Sequence, residues 1–245
     1  MTDHGFYDSF LDILNDKNNE EIYDKAKIIL DLEEIKKVFN GENKLSKEYF
    51  RIKLDSILPS LKKTVIKPQR LIEQSDDWYI AQDLQTNTFY VCFKSLMMID
   101  IDFYKDSEKI IITDENYKEK ISKKQAEIID KIEDYALLND LRFRIYRTRN
   151  GIHAFLINRY ANYTNYHDLK IMLDLGCDFF YIAYSRIRGW SVRLNRKEKE
   201  EKIKYNLICD VGDVEPIENL VKLTDFHIDL ISVFENSGPS KMFGN

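Results

Sequence analysis

The stretch Leu96-Met97-Met98-Ile99-Asp100-Ile101-Asp102-Phe103-Tyr104 breaks an apolar run with two acids spaced two residues apart. A short apolar run of this kind predicts a buried β-strand. Side chains alternate faces along a strand, so Asp100 and Asp102 point one way and Ile99, Ile101 and Phe103 the other. Two neighbouring carboxylates repel each other and lose hydration, a cost that a cation between them relieves. Oxygen-only ligands suit Mg²⁺ or Mn²⁺, which commonly bridge carboxylates to phosphates. The same pattern also fits a plainer reading, a strand end that turns its acids to water.

At 245 residues the chain has room for one large domain or a compact pair, with a substantial core. Its 44% hydrophobic and 32% charged residues describe a globular protein. No apolar run approaches bilayer length, and the N-terminus MTDHGFYDSF lacks a signal-peptide pattern, so no membrane partner is expected. Cys92, Cys177 and Cys209 lie far apart with no C-x-x-C pair. That spacing argues against a zinc ribbon or a disulfide framework and fits small core residues in a reducing cytoplasm. The net charge of −5 hides an asymmetry, because residues 141–205 carry 14 Lys/Arg against 6 Asp/Glu, a local +8 that leaves −13 elsewhere. A polyanionic partner matches this distribution, and a solvated basic face is the alternative.

Residues 1–75 read as a helical N-terminal segment, with Phe6, Phe10, Leu11 and Leu14, then Ile28, Ile29, Leu32 and Ile35, at helix spacing. From about residue 77 the period falls to two. Trp78–Ala81, Phe89–Phe93 and the acidic strand read as successive strands of one sheet. Residues 116–138 return to helical spacing, with Ile121, Ala126, Ile129, Ile132 and Ala136 on one face. Two further strands, Phe143–Arg147 and Ile152–Ile157, flank Arg149-Asn150-Gly151, and Asn-Gly between β patterns predicts a hairpin. Strand, helix, hairpin is an α+β pattern with the helix against one sheet face. A short helix over 165–175 ends at Gly176, and a strand follows near Tyr205–Cys209. The main domain is expected over 76–235, with residues 236–245 a loose tail.

Chemistry-bearing residues cluster in this region. His153 leaves the hairpin after Arg147-Thr148-Arg149-Asn150-Gly151, where glycine permits close approach, arginine grips phosphate and imidazole can donate to phosphate oxygen. A lone strand histidine is more often an ordinary core or surface residue. Asp178 follows the helix stop at Gly176. Then comes Arg186-Ile187-Arg188-Gly189-Trp190-Ser191-Val192-Arg193-Leu194-Asn195-Arg196-Lys197, in which Ser191 and Arg193 share one strand face.

An apolar strand ending in D-h-D, a G-x-H at a hairpin, an h-D and then a basic strand resemble, in that order, the archaeo-eukaryotic primase superfamily. Asp100 and Asp102 match its first motif, Gly151-Ile152-His153 its second, Cys177-Asp178 its third, and Arg193–Lys197 the basic strand after it. The likeness spans roughly residues 76–205. It departs at Gly151, where the family often has serine, with the Thr148 hydroxyl the nearest substitute. The gap from His153 to Asp178 is only 25 residues, which makes Asp210 a rival third acid; the basic strand after Asp178 favours Asp178.

The resemblance implies a primase-like α+β core with a mixed or antiparallel, RRM-like sheet, and primer synthesis or extension on single-stranded DNA. It implies that Asp100, Asp102 and Asp178 hold Mg²⁺ or Mn²⁺, and that His153, Arg193, Lys197, Thr148 and Gly151 meet the nucleoside triphosphate. Arg147, Arg149, Arg186 and Arg188 are the template-binding candidates, with Tyr146, Tyr160 and Tyr163 available to stack on bases. With no zinc or helicase motif in the sequence, a separate helicase or accessory primase subunit would supply those functions. The AT-biased composition fits a replicating entity such as a large DNA virus. Two alternatives stay open: an inactive primase-like nucleic-acid-binding or scaffold subunit, and a Mn²⁺-dependent glycosyltransferase of the D-x-D type.

Overall fold

The computed structural model describes residues 69–84, 86–103, 117–163, 165–178, 181–182, 185, 189–195 and 205–237. The helical reading of residues 1–68 and the candidates Arg186, Arg188 and Lys197 lie outside them. The described residues all fall within one compact unit, Gln69–Asn245.

The fold is α+β with two antiparallel four-stranded sheets. In the first, β1 (Gln69–Gln74), β2 (Trp78–Asp83), β3 (Thr88–Phe93) and β7 (Trp190–Arg193) lie side by side in that order. The second contains β4 (Met98–Asp102), β5 (Phe143–Arg147), β6 (Gly151–Leu156) and β8 (Asn206–Val211), in the order β4-β6-β5-β8. Among the described residues, helices α1 (Tyr117–Leu138), α2 (Tyr166–Leu175) and α3 (Glu218–Ser237) accompany the sheets. The expectation of one continuous sheet is therefore corrected: β2 pairs with β3 and β3 with β7, whereas among the described strands the acidic strand β4 pairs only with β6. Period-two patterning reveals strands but not their partners, because partner choice rests on long-range packing.

Residues 69–74 are strand, not the end of a helical segment, and Arg70 and Leu71 sit opposite Gln82 and Ala81. The run Arg70-Leu71-Ile72 suits either structure by composition, and pairing with β2 decides it. Helix α1 forms where expected, yet its buried face is Ile121, Ile128, Ile132 and Ala136. Ala126 is exposed and Ile129 only half-buried, so the face is rotated from the one predicted. Helix α2 begins at Asn165, whose side chain accepts the His167 N–H at 2.8 Å. It ends at Gly176 in the left-handed region (φ 81°), where the Cys177 N–H reaches back to the Met172 carbonyl.

The 20-residue α3 falls where only a weakly specified acidic segment and a loose tail from 236 were expected. Its Leu220, Leu223, His227, Leu230, Ile231 and Phe234 are buried at helical spacing. This helix ties the sheets together. Phe226 meets Trp78 of β2 (4.8 Å between ring centroids), Phe234 meets Phe89 of β3 (5.2 Å) and His227 meets Phe155 of β6 (4.8 Å). No described helix is long and apolar enough to cross a membrane.

In the second sheet, Phe103 N–H donates to the Asn150 carbonyl and Leu156 N–H to that of Met97, which makes the odd-numbered β4 positions the hydrogen-bonded pairs. Asp100–His153 and Asp102–Gly151 are then non-hydrogen-bonded pairs, the kind whose side chains stand closest. Gly151 is essential to that ladder: a Cβ there would lie 2.1 Å from the Ile101 carbonyl oxygen. A serine in the second motif therefore has no room here. Gly151→Ala is expected to force β4 and β6 apart and to lower stability by about 1–3 kcal/mol or more, measured by urea denaturation. An unchanged midpoint would contradict the close approach.

Burial gives α3 a pH signature. His227 is fully buried, its Nδ1 bonded to the Thr224 carbonyl and its Nε2 without a partner among the described residues. Loss of hydration, opposed by the Thr224 bond and reinforced by nearby His153, lowers its pKa from 6.5 to about 3. Between these values the unfolded chain takes up a proton that the folded chain refuses, so stability falls as pH drops below 6.5. The slope contributed by this one group approaches about 1.4 kcal/mol per pH unit. His227→Phe is expected to flatten the acid limb of a stability–pH curve; an equally steep limb in the variant would refute this origin.

Candidate active site

The site forms on one face of the second sheet, at the end of β4 and β6. Strand alternation places Asp100 and Asp102 on that face as predicted, with His153 and Tyr146 in register beside Asp100. His153 Nε2 lies 3.2 Å from Asp100 Oδ1, and its Nδ1 lies 2.8 Å from the Tyr205 hydroxyl. Asp102, the last residue of β4, is exposed. The plainer expectation of a strand end meeting water thus describes Asp102, while Asp100 is partly buried and engaged.

Among the described strands β4 is an edge of its sheet, so Asp100 directs its own N–H and C=O away from β6. The segment after α2 covers both: the Asp100 N–H donates to Cys177 Sγ (3.4 Å), and the Asp178 N–H donates to the Asp100 carbonyl (2.7 Å). This edge addition brings the Cys177–Asp178 segment against the strand that carries Asp100 and Asp102. The Asp178 carboxylate does not converge on the pair, however; its Oδ1 accepts the Tyr181 N–H at 2.8 Å and caps the next turn. Among the described residues no group of three or more His, Cys, Asp or Glu side chains is gathered to hold a metal ion. Asp100 and Asp102, which share one sheet face, still offer the oxygen donors that a hard cation takes. Their charge is felt at Cys177, whose thiol is pushed well up by burial, with Asp100, Asp178 and Asp102 adding to the effect. Burial thus favours the neutral thiol at Cys177.

Arg193, at the end of β7, belongs to the same neighbourhood. The Tyr205 phenol is pushed well up by burial and by the charge of Asp100, and Arg193 opposes that rise. Thr148 is also close at hand, but its hydroxyl accepts the Gly151 N–H at 3.1 Å and shapes the hairpin turn.

Other expected residues lie elsewhere or serve the fold. Arg147 is on the opposite sheet face, in line with Ile152, and its guanidinium rests 4.0 Å from the Phe103 ring centroid. Arg149 is exposed at the hairpin tip. Asp210 is bound to Arg144 through two contacts of 2.9 and 3.2 Å, with Arg144 also reaching Asp225 of α3. The rival third acid is thus committed to an ion pair. Tyr146 is buried among Phe155, Tyr205 and His227, so it has no face open to a nucleobase. Tyr163 packs edge-on to Trp190, and Tyr160 is half exposed. Tyr205, 52 residues from His153, was not anticipated, since nothing in its local pattern marks it.

Fold and site together define an α+β protein with an acidic, histidine-anchored strand end at the meeting of β4, β6 and the segment after α2. No family model, no curated protein and no solved structure matches the sequence. Asp210→Asn is expected to weaken the Arg144 pair and cost about 1–3 kcal/mol in chemical denaturation. An unchanged denaturation midpoint would contradict the commitment of Asp210 to this pair.

Proposed function

We propose that this protein is a nucleotidyltransferase of the primase or primase–polymerase type, which makes or extends a primer on single-stranded DNA. The observation that carries the reading is the placement of three separated motifs at one strand end: Asp100 and Asp102 on β4, His153 opposite Asp100, and Asp178 bonded to the Asp100 backbone. The β4–α1–β5–β6 path, with β6 between β4 and β5, is a split β-α-β arrangement that accommodates the primase-like, RRM-like core.

Asp100 and Asp102, joined by Asp178 once its carboxylate leaves the Tyr181 N–H, would hold divalent ions of the Mg²⁺ or Mn²⁺ type. Such ions supply neutralisation of phosphate charge and a lowered pKa for an attacking hydroxyl. Arg193 would grip the triphosphate, with Lys197 as its sequence neighbour in the same role. His153 is occupied on both ring nitrogens, so its first task is to anchor Asp100; donating to phosphate requires it to give up one partner. Arg149, on the exposed hairpin tip, is the best-placed described arginine for a template phosphate.

A second reading, a primase-like module that binds nucleic acid without turnover, draws support from the turned-away Asp178 carboxylate and from the engaged His153. Nothing in the geometry favours the glycosyltransferase reading.

Primed and unprimed single-stranded templates, offered labelled dNTPs, NTPs or UDP-sugars with Mn²⁺, separate these readings. Primer formation or extension is expected, abolished by Asp100→Ala, whereas Arg193→Ala chiefly weakens nucleotide binding, by about 1.5–3 kcal/mol. Template binding without any incorporation would favour the inactive module, and near-normal synthesis by Asp100→Ala would sink the assignment.

A further inference from the structure

The position of the Tyr205 hydroxyl, against His153 Nδ1, decides what His153 can do. An ionised carboxylate only accepts hydrogen bonds, so the 3.2 Å contact with Asp100 requires His153 Nε2 to carry a proton. A neutral imidazole then offers Nδ1 as an acceptor, and the Tyr205 hydroxyl, 2.8 Å away, is the donor that matches it. The opposite tautomer would set a bare Nε2 lone pair against a carboxylate oxygen. Tyr205 is itself held in place, its ring meeting those of His153 (5.3 Å), His227 (5.3 Å) and, at a greater distance, Tyr146 (6.5 Å).

We propose that Tyr205 is a positioning residue: its hydroxyl fixes His153 as the Nε2–H tautomer, and His153 in turn aims the Asp100 carboxylate. The chain Tyr205–His153–Asp100 has the form of the outer shell that orients carboxylate ligands in metal sites. Its consequence for ion binding rests on the proposed metal role of Asp100, whereas the tautomer does not. The arrangement also connects α3 to the strand end, since His227 on α3 braces the tyrosine ring.

Two measurements test this separately. Nitrogen-15 spectra of the histidine side chains in the wild-type protein at neutral pH report the His153 tautomer directly. In the neutral ring, protonation at Nε2 is expected; protonation at Nδ1 would overturn the proposal. Tyr205→Phe keeps the ring and its packing while deleting the donor. It is expected to mix the His153 tautomers and to weaken Mn²⁺ binding, followed by electron paramagnetic resonance, by about 10- to 100-fold. An unchanged tautomer and unchanged Mn²⁺ affinity in the folded variant would overturn the role of Tyr205. If Asp100→Ala binds Mn²⁺ as the wild type does, the metal reading fails, while the nitrogen-15 spectra still decide the place of Tyr205.

Discussion

The close approach of β4 and β6 at Gly151 is the constraint on which the site depends. Only a residue without Cβ lets the hairpin strand come within contact of the Ile101 carbonyl, and the ladder that follows sets Asp100 opposite His153. A shift by one residue would send Asp100 into the layer of Ile99 and Ile101 and bring an isoleucine out in its place. The register also turns the Asp100 backbone outward, where Cys177 and Asp178 cover an edge that would otherwise stay unpaired. Thus one glycine links the fold to the placement of His153 opposite Asp100.

A second dependence runs through α3. Two separate sheets need a shared partner, and this helix presents Phe226 and Phe234 to one and His227 to the other. A buried imidazole with an unpartnered nitrogen is costly, and the aromatic rings of Tyr146, Phe155 and Tyr205 around it offer packing in place of hydration. The same cluster holds Tyr205 against His153. Packing between the sheets and orientation at the acidic strand end are therefore carried by common residues.

Much of the secondary structure was legible because local rules govern it. Asn150-Gly151 announced the hairpin, Gly176 the helix end, and alternation the shared face of Asp100 and Asp102. The face of α1 was misjudged because several apolar residues satisfied more than one helical stripe, and the surrounding contacts chose among them. The helix α3 was passed over because its apolar positions are interleaved with acids and its burial depends on sheets far away in sequence. Residues 69–74 carried no pattern strong enough to outweigh their neighbours.

The site divides along the same line. Asp100, Asp102, His153 and Asp178 were singled out from residue types, their order and a family resemblance, each with an ordinary reading beside it; that His153 faces Asp100 and that the Asp178 N–H bonds the Asp100 carbonyl came from the structure. Arg147 and Tyr146 show the limit: one lies on the opposite face and the other is buried, though both looked available in the linear chain. Asp210 could be separated from Asp178 only when Arg144 was seen beside it, and Tyr205 became visible only through its hydrogen bond to His153. By itself the sequence determined which side chains can carry charge and which strands and turns place them locally. Tertiary structure alone decided which of them meet, because hydrogen bonds, ion pairs and desolvation act over a few ångströms of space, at distances along the chain that no local pattern records.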